Sequence, residues 1–236
     1  MASGVKHSNQ QQMRVAIIGY GKLGAAVAEV AENNGWTVVA RVNKGDEWTA
    51  SGLGADIVFE SSTPQDAVNN ALKCIAANLP VVIGTTGWHD RMDELKEAGG
   101  TVFHATNFSI GVHLLNEMSA YMTRAMKKFP EYSAQIKDVH HIHKLDSPSG
   151  TAMTLRDVVR ANGGEASIDS VREGEIVGIH ELSWNSEVDV LALRHEATSR
   201  QGFALGAFQA LVWLSEKHAK GAHGIYNMND LISKIQ

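Results

Sequence analysis

Arg14-Val15-Ala16-Ile17-Ile18-Gly19-Tyr20-Gly21-Lys22-Leu23-Gly24 is the stretch that decides the fold of this chain. An apolar, β-branched run enters G-x-G-x-x-G, and Ala25-Ala26-Val27-Ala28 continues with residues that favour a helix. That order predicts strand, tight turn and helix, with the glycines letting backbone N–H groups approach a pyrophosphate. The motif alone is weak evidence. Its place between a strand and a helix makes Gly19, Tyr20, Gly21, Lys22, Leu23 and Gly24 candidates for holding a dinucleotide.

Downstream, residues 36–42 and 56–60 read as further strands and 64–78 as a helix, with Ala67, Ala71, Leu72, Ile75 and Ala76 at helical spacing. Pro80-Val81-Val82-Ile83-Gly84 is a short apolar strand, 89–98 a helix and 101–105 another strand. This alternation predicts an α/β fold with a Rossmann-type, doubly wound parallel sheet. Ligands in such sheets sit at the carboxyl ends of strands, so Gly84, Thr85 and Thr86, with Ala105, Thr106, Asn107 and Phe108, are candidate cofactor-facing turns. NAD enzymes carry an acidic residue after the second strand. Here Arg41-Val42-Asn43-Lys44 stands in that place, with Asp46 and Glu47 only further on. Asn43 and Lys44 are therefore assigned to the cofactor's ribose end, and NADPH is expected to be accepted as well as NADH.

From Ile110 the pattern changes. Ile110, Leu114, Leu115, Met118, Tyr121, Met122 and Met126 suggest one core-facing stripe of a long helix. Residues 132–142 alternate as a strand, 151–161 read as a helix, and 166–195 contain further alternating segments. The prediction is a second α+β domain with an open mixed sheet. Residues 203–217 read as a helix, and 221–229 as a glycine-bearing turn.

Length and composition narrow the function classes. At 236 residues and 44% hydrophobic content the chain is large enough for a proper core without staples. Its single Cys74 excludes an internal disulfide and is expected to be a packing residue in a reducing, cytoplasmic setting. A net charge of -5 with scattered Lys and Arg excludes a nucleic-acid partner, and no apolar run approaches the ~20 residues of a membrane span. Residues 1–12 are polar and expected to be a disordered leader.

The densest chemistry lies in His140-His141-Ile142-His143-Lys144-Leu145-Asp146-Ser147-Pro148-Ser149-Gly150-Thr151. As a metal site this cluster lacks thiolates, an HExxH helix and a third-ligand spacing, so no metal is expected. As plain strand residues His140 and His141 would face opposite ways. As an active site, the strand ends near His140 and the following loop brings His141 and Lys144 over one pocket. The turn favours this last reading, because a serine or aspartate cap followed by glycine leaves helix N–H groups open to a carboxylate. Histidine and lysine beside it can move protons.

With these motifs assembled, the sequence resembles the 4-hydroxy-tetrahydrodipicolinate reductase (dihydrodipicolinate reductase) family of lysine and diaminopimelate biosynthesis. The resemblance runs from Met13 to the C-terminus. It rests on Gly19 to Gly24, Val82-Ile83-Gly84-Thr85-Thr86-Gly87, Ala105-Thr106-Asn107-Phe108-Ser109-Ile110-Gly111-Val112, the His140 to Ala152 segment, and Arg194-His195-Glu196-Ala197-Thr198-Ser199-Arg200 with Phe203-Ala204-Leu205-Gly206-Ala207. It implies reduction of a small dicarboxylate by NADPH or NADH, with His140 as proton donor or acceptor and Lys144 as proton donor. By the same resemblance His141, Ser149, Gly150 and Thr151 bind the substrate, and Thr86 lies between cofactor and substrate. The implied division is 13–109 with 200–236 for the dinucleotide, and 110–199 for substrate binding and oligomerisation as a homotetramer. Two features depart from the family: the first glycine loop is shorter than G-x-x-G-x-x-G, and the acidic residue after the second strand is missing. The competing readings are another two-domain NAD(P)-dependent amino-acid dehydrogenase, which would not need residues 140–151, and a non-catalytic dinucleotide sensor, which would have lost His140 or Lys144.

Overall fold

The structure, a computed structural model, describes residues 12–232. The expected leader thus lies outside the described residues except for Gln12, as do residues 233–236. Two compact units form, residues 12–108 with 203–232 and residues 109–202.

In the first unit, β1 (Arg14–Ile18), α1 (Lys22–Asn33), β2 (Thr37–Val42), β3 (Ile57–Glu60), α2 (Pro64–Ala76), β4 (Val81–Ile83), α3 (Met92–Ala98) and β5 (Thr101–His104) alternate along the chain. The strands build one parallel sheet, with β3 and β4 buried on both faces as their unbroken apolar runs require. α2 and α3 cover one face through Ala67, Val68, Ala71, Cys74 and Leu95, packed on Ala16, Ile18, Val58, Val81 and Ile83. Cys74 is fully buried there, and burial first, then Glu60, pushes its thiol up to about 12. It is a packing residue, as expected, and no nucleophile.

Two elements of this unit escape the sequence reading. Residues 221–229 contain β10 (Gly224–Tyr226), which pairs in parallel with β5, and then α7 (Met228–Ile232). The sheet order is β10-β5-β4-β3-β1-β2. A strand of three residues is too short to show alternation; it is pinned instead by neighbours, such as Gly224 N–H donating to the Gly100 carbonyl at 2.9 Å. The expected helix 89–98 begins as a 3-10 turn at His89–Arg91 before α3. The preceding helix in 203–217 is longer than expected, α6 (Gln201–Ala219).

The second unit holds α4 (Ile110–Met126), β6 (Ser133–His140), α5 (Gly150–Ala161), β7 (Ala166–Arg172), β8 (Gly178–Asn185) and β9 (Val190–Ala197). The strands form a mixed sheet in the order β7-β6-β8-β9, with β6 and β7 parallel and the other pairs antiparallel. α4 and α5 pack on one face through Leu115, Ala152, Leu155 and Val159 against Ile136, Leu182 and Trp184. On the opposite face Gln135, Lys137, Ser167, Asp169, Arg194 and Glu196 are exposed.

The core stripe expected on α4 is only partly right. Leu115 is buried and Met122 and Met126 pack against the core, but Leu114, Met118 and Tyr121 are 40%, 48% and 59% exposed. The buried ridge runs through Val112, Leu115, Ser119 and Thr123. The expected stripe mixes two neighbouring ridges, and at 100° per residue a single contact line holds only one of them. Among the described residues no helix is long and apolar enough to cross a membrane.

Candidate active site

The glycine loop has the shape of a phosphate cradle. Gly19 turns at a φ of +86°, and a Cβ there would run into the Ser61 backbone. A Cβ on Gly24 would strike the Gly19 carbonyl and touch Ile17 Cγ2 at 3.0 Å. Gly21, the N-cap of α1, faces open space. α1 has neither a side-chain cap nor an acidic residue in its first turn, so its leading N–H groups can take an anion. The residues present therefore fit a dinucleotide: the first glycine makes the turn, the second leaves room and the third lets helix and strand close up.

Other expected cofactor residues converge on the same strand ends. A Cβ on Gly84 would lie 2.9 Å from Phe59 Cζ and 3.3 Å from both Leu23 Cδ2 and Phe108 Cε2. Behind Gly84, the fully buried Glu60 accepts hydrogen bonds from Thr85 Oγ1 at 2.7 Å, Asn70 Nδ2 at 3.2 Å and Ser62 N–H at 3.1 Å, and from the Ser62 hydroxyl. One carboxylate thus ties the turn after β3 to the turn after β4. Thr86 and Thr106 are exposed and Asn107 half-buried beyond these strand ends. Sequence reading missed Glu60, Ser61 and Ser62. The signal was available, since β3 adjoins β1 and its carboxyl end must border the loop.

At the end of β2, Asn43 and Lys44 are exposed, and the turn that follows folds back. Asp46 N–H donates to the Asn43 carbonyl at 3.2 Å, and Asn43 N–H donates to Asp46 Oδ2 at 2.7 Å. A carboxylate therefore does reach the strand end, from three residues further on. Beside it lies a cavity of about 840 Å³ lined by Arg41, Val42, Asp46, Glu47 and Trp48, among others.

In the second unit β6 ends at His140, as the active-site reading requires. Ser149 caps α5, its Oγ accepting from Ala152 N–H at 3.2 Å, while Gly150 and Thr151 form the first turn. The lead residues of the cluster part company after His140. Lys144 Nζ pairs with Asp146 Oδ1 at 2.7 Å, and the His141 ring lies 6.1 Å from that of His143. Asp146 is held below the usual carboxylate range, first by Lys144.

The polar centre of this unit is Asp138, which the sequence reading passed over. It is fully buried, and accepts from Ser149 N–H at 2.9 Å, Ser149 Oγ at 2.7 Å, Ser170 Oγ at 2.7 Å and Arg172 at 3.4 Å. His140 Nδ1 stands 3.0 Å from Asp138 Oδ1, an ion-pair distance without hydrogen-bond alignment. Burial alone would raise the Asp138 carboxyl; the Ser149 N–H, the Ser170 and Ser149 hydroxyls and His140 together pull it down to about 2. Strand register sets His180 opposite Asp138, and His195 opposite His180. Burial pushes His180 down to about 4, with His140 adding to the effect and Asp138 opposing it. His140 is also lowered, by burial against the pull of Asp138.

Residues 13–108 match the family described as dihydrodipicolinate reductase, N-terminus, and residues 111–232 its C-terminus. This chain belongs to the dihydrodipicolinate reductase family. A 4-hydroxy-tetrahydrodipicolinate reductase of Christiangramia forsetii is 32% identical, over 94% of this chain and 99% of the relative. One from Thermosipho africanus is 31% identical with the same coverage. A solved dipicolinate-bound dihydrodipicolinate reductase from Paenisporosarcina sp. TG-14 superposes with a TM-score of 0.75 at 22% identity, covering 94% of this chain and 100% of that one. An aspartate dehydrogenase from Thermotoga maritima also shares the fold, with a TM-score of 0.51 at 16% identity over 86% and 97% of the two chains. The reductase family is thus decided by sequence, since the fold alone is shared with enzymes of other names.

Within this reductase, Asp138, His140 and His180 place three potential ligand atoms within 4.8 Å of one another. The chemistry of that set argues against a cation. The lone pairs of Asp138 are taken by N–H and O–H donors, and the Arg172 guanidinium already supplies positive charge. Asp138 could have been noticed in the sequence, since a residue two before His140 on a strand shares its face. Nothing local marks His180, which joins the group only through β8 pairing.

Proposed function

We propose that this chain reduces 4-hydroxy-tetrahydrodipicolinate (dihydrodipicolinate) to tetrahydrodipicolinate with NAD(P)H, as an oxidoreductase of lysine and diaminopimelate biosynthesis. The observation that carries the site assignment is that β6, the Lys144 turn and the capped start of α5 set an imidazole, an ammonium and the first turn of a helix on one short segment. The N–H groups of Gly150 and Thr151, with His141, hold a substrate carboxylate, while Ser149, whose own donors both go to Asp138, fixes the helix start behind them. Lys144 gives its Nζ proton to the ring carbon next to the one reduced, and His140 takes or returns a proton at its imidazole. The reduced nicotinamide supplies the hydride. Charge placement and orientation, more than covalent catalysis, lower the barrier.

The first unit holds the nucleotide through Gly19 to Gly24, Gly84 to Thr86 and Ala105 to Phe108. Asp46 takes the ribose hydroxyls and Lys44 a 2′-phosphate, which suits use of both NADH and NADPH. Oxidation of each cofactor with freshly generated 4-hydroxy-tetrahydrodipicolinate tests the activity. Substrate-dependent loss of reduced-nicotinamide absorbance is expected; none with either cofactor, despite measured cofactor binding, would overturn it.

We further infer a cytoplasmic homotetramer built on the open face of the second sheet. That face is uncovered by α4 or α5, and carries Arg194 paired with Glu196 at 2.8 Å and Glu181 at 3.4 Å. Light scattering should report four chains, and Arg194→Glu should shift the mass towards smaller species.

A further inference from the structure

We infer that Asp138 is the positioning residue of this site, one buried carboxylate holding both the proton-handling imidazole of His140 and the serine that caps the substrate-binding end of α5. The inference rests on the roles proposed above for His140 and α5.

Proton counting at Ser149 carries it. The hydroxyl has a single proton, and at 2.7 Å from Asp138 Oδ1 that proton goes to the carboxylate. The Ser149 oxygen is then left to accept, from Ala152 N–H at 3.2 Å and from His180 Nε2 at 3.2 Å. His180 must carry its hydrogen on Nε2, leaving Nδ1 bare, and Nδ1 indeed has no donor facing it. A neutral His180 fits a ring whose charged form burial disfavours. Ser149 is thereby locked from three sides, and its backbone N–H is held by the same Asp138 at 2.9 Å.

The other half of the carboxylate's work is electrostatic. The charged or titratable groups around His140 are Asp138 on its own strand, Lys144 and Asp146 in the following turn, Arg172 on β7 and His180 on β8, with His195 on β9 next beyond His180. Lys144 and Arg172 oppose a proton on His140, and His180 offers no negative charge. Asp146 is already paired with Lys144. Asp138, 3.0 Å away, is the carboxylate left to hold a protonated imidazole against burial. The Nε2 edge of the ring packs against Gly178, where a Cβ would lie 2.9 Å from it.

The two functions separate experimentally. The imidazoles of the full chain, labelled with 15N and 13C, are titrated by NMR, with His140 identified by loss of its signal in His140→Gln. In Asp138→Asn the His140 midpoint should fall by about 1 pH unit or more, and the His140 limb of kcat/KM should move down with it. Ser149→Ala should raise KM roughly ten-fold with the His140 midpoint unmoved. Asp138→Glu keeps the charge, so its His140 midpoint should stay near that of the parent while KM rises. An unmoved His140 midpoint in Asp138→Asn, or an equal fall in Asp138→Glu, overturns the inference. If Asp138→Asn does not fold, Asp138→Thr takes its place with the same expected fall, and a fall of about 1 pH unit or more in Asp138→Glu or Ser149→Ala overturns the inference. Full turnover in His140→Gln would instead refute the catalytic role of His140, while the midpoints would still report on Asp138.

Discussion

Lys144 is three-quarters buried at the side chain, and its ammonium already holds a carboxylate, Asp146 at 2.7 Å. A group so placed can exchange one carboxylate partner for another, as the role proposed for it requires. Lys144→Met keeps the stem and removes the proton, so turnover should drop by roughly 10²–10⁴ while NADPH affinity, measured by fluorescence titration, stays as in the parent. Unchanged turnover would remove Lys144 from proton transfer. At the other unit, Lys44→Ala should weaken NADPH binding several-fold and leave NADH binding unaltered, because the two cofactors differ by a single phosphate. Equal loss for both would mean that Lys44 does not meet that phosphate. Candidates such as these are singled out in sequence by local context, Lys144 by the segment 140–151 and Lys44 by its place after β2. For Asp138 and Glu60 the sequence marks only a position, a strand face shared with His140 and a strand end beside the glycine loop; the role stays hidden, since a carboxylate becomes a hub only when donors distant in sequence close round it.

Among the elements, α5 links packing to chemistry most directly. Its N-terminus is capped by Ser149, and its buried side, Ala152, Leu155 and Val159, seats it on the sheet beside Ile136 and Leu182. Leu155→Ala should cost roughly 2–5 kcal/mol, read as a lowered urea midpoint in the fluorescence of Trp184, which is buried in the same cluster. A loss below about 1 kcal/mol would show that the cluster repacks freely. Regular elements of this length announce themselves by period. The ends of β6 and α5 were legible because a change of period meets a capping serine and a glycine. β10 and the true contact ridge of α4 were not, because three residues have no period and two adjacent ridges of one helix look alike until a sheet chooses between them.

Across the whole molecule, burial lowers the imidazoles of His104, His140, His180, His195 and His218 together. A histidine whose folded value lies below its unfolded ~6.5 contributes stability that is complete above that pH and is lost as the pH falls towards the folded value. For His180 the window runs from ~6.5 to about 4, a loss on the order of 3 kcal/mol. Asp138, held at about 2, adds a second loss below its unfolded ~4. Thermal midpoints should therefore be level from pH 8 to 7, and fall steadily from about pH 6.5 to 4. A flat profile between pH 7 and 5 would mean that these rings are solvated. The amino-acid sequence by itself determined the alternating architecture, the glycine cradle and the capped helix start after β6, because each depends on steric and hydrogen-bonding rules spanning a few residues. Only the tertiary structure decided which carboxylates govern the site. Asp138 meets Arg172 from 34 residues away, and Ser149 meets His180 from 31. Such meetings follow from the register of β6 with β7 and β8, which the burial of a whole sheet face selects and no local pattern encodes.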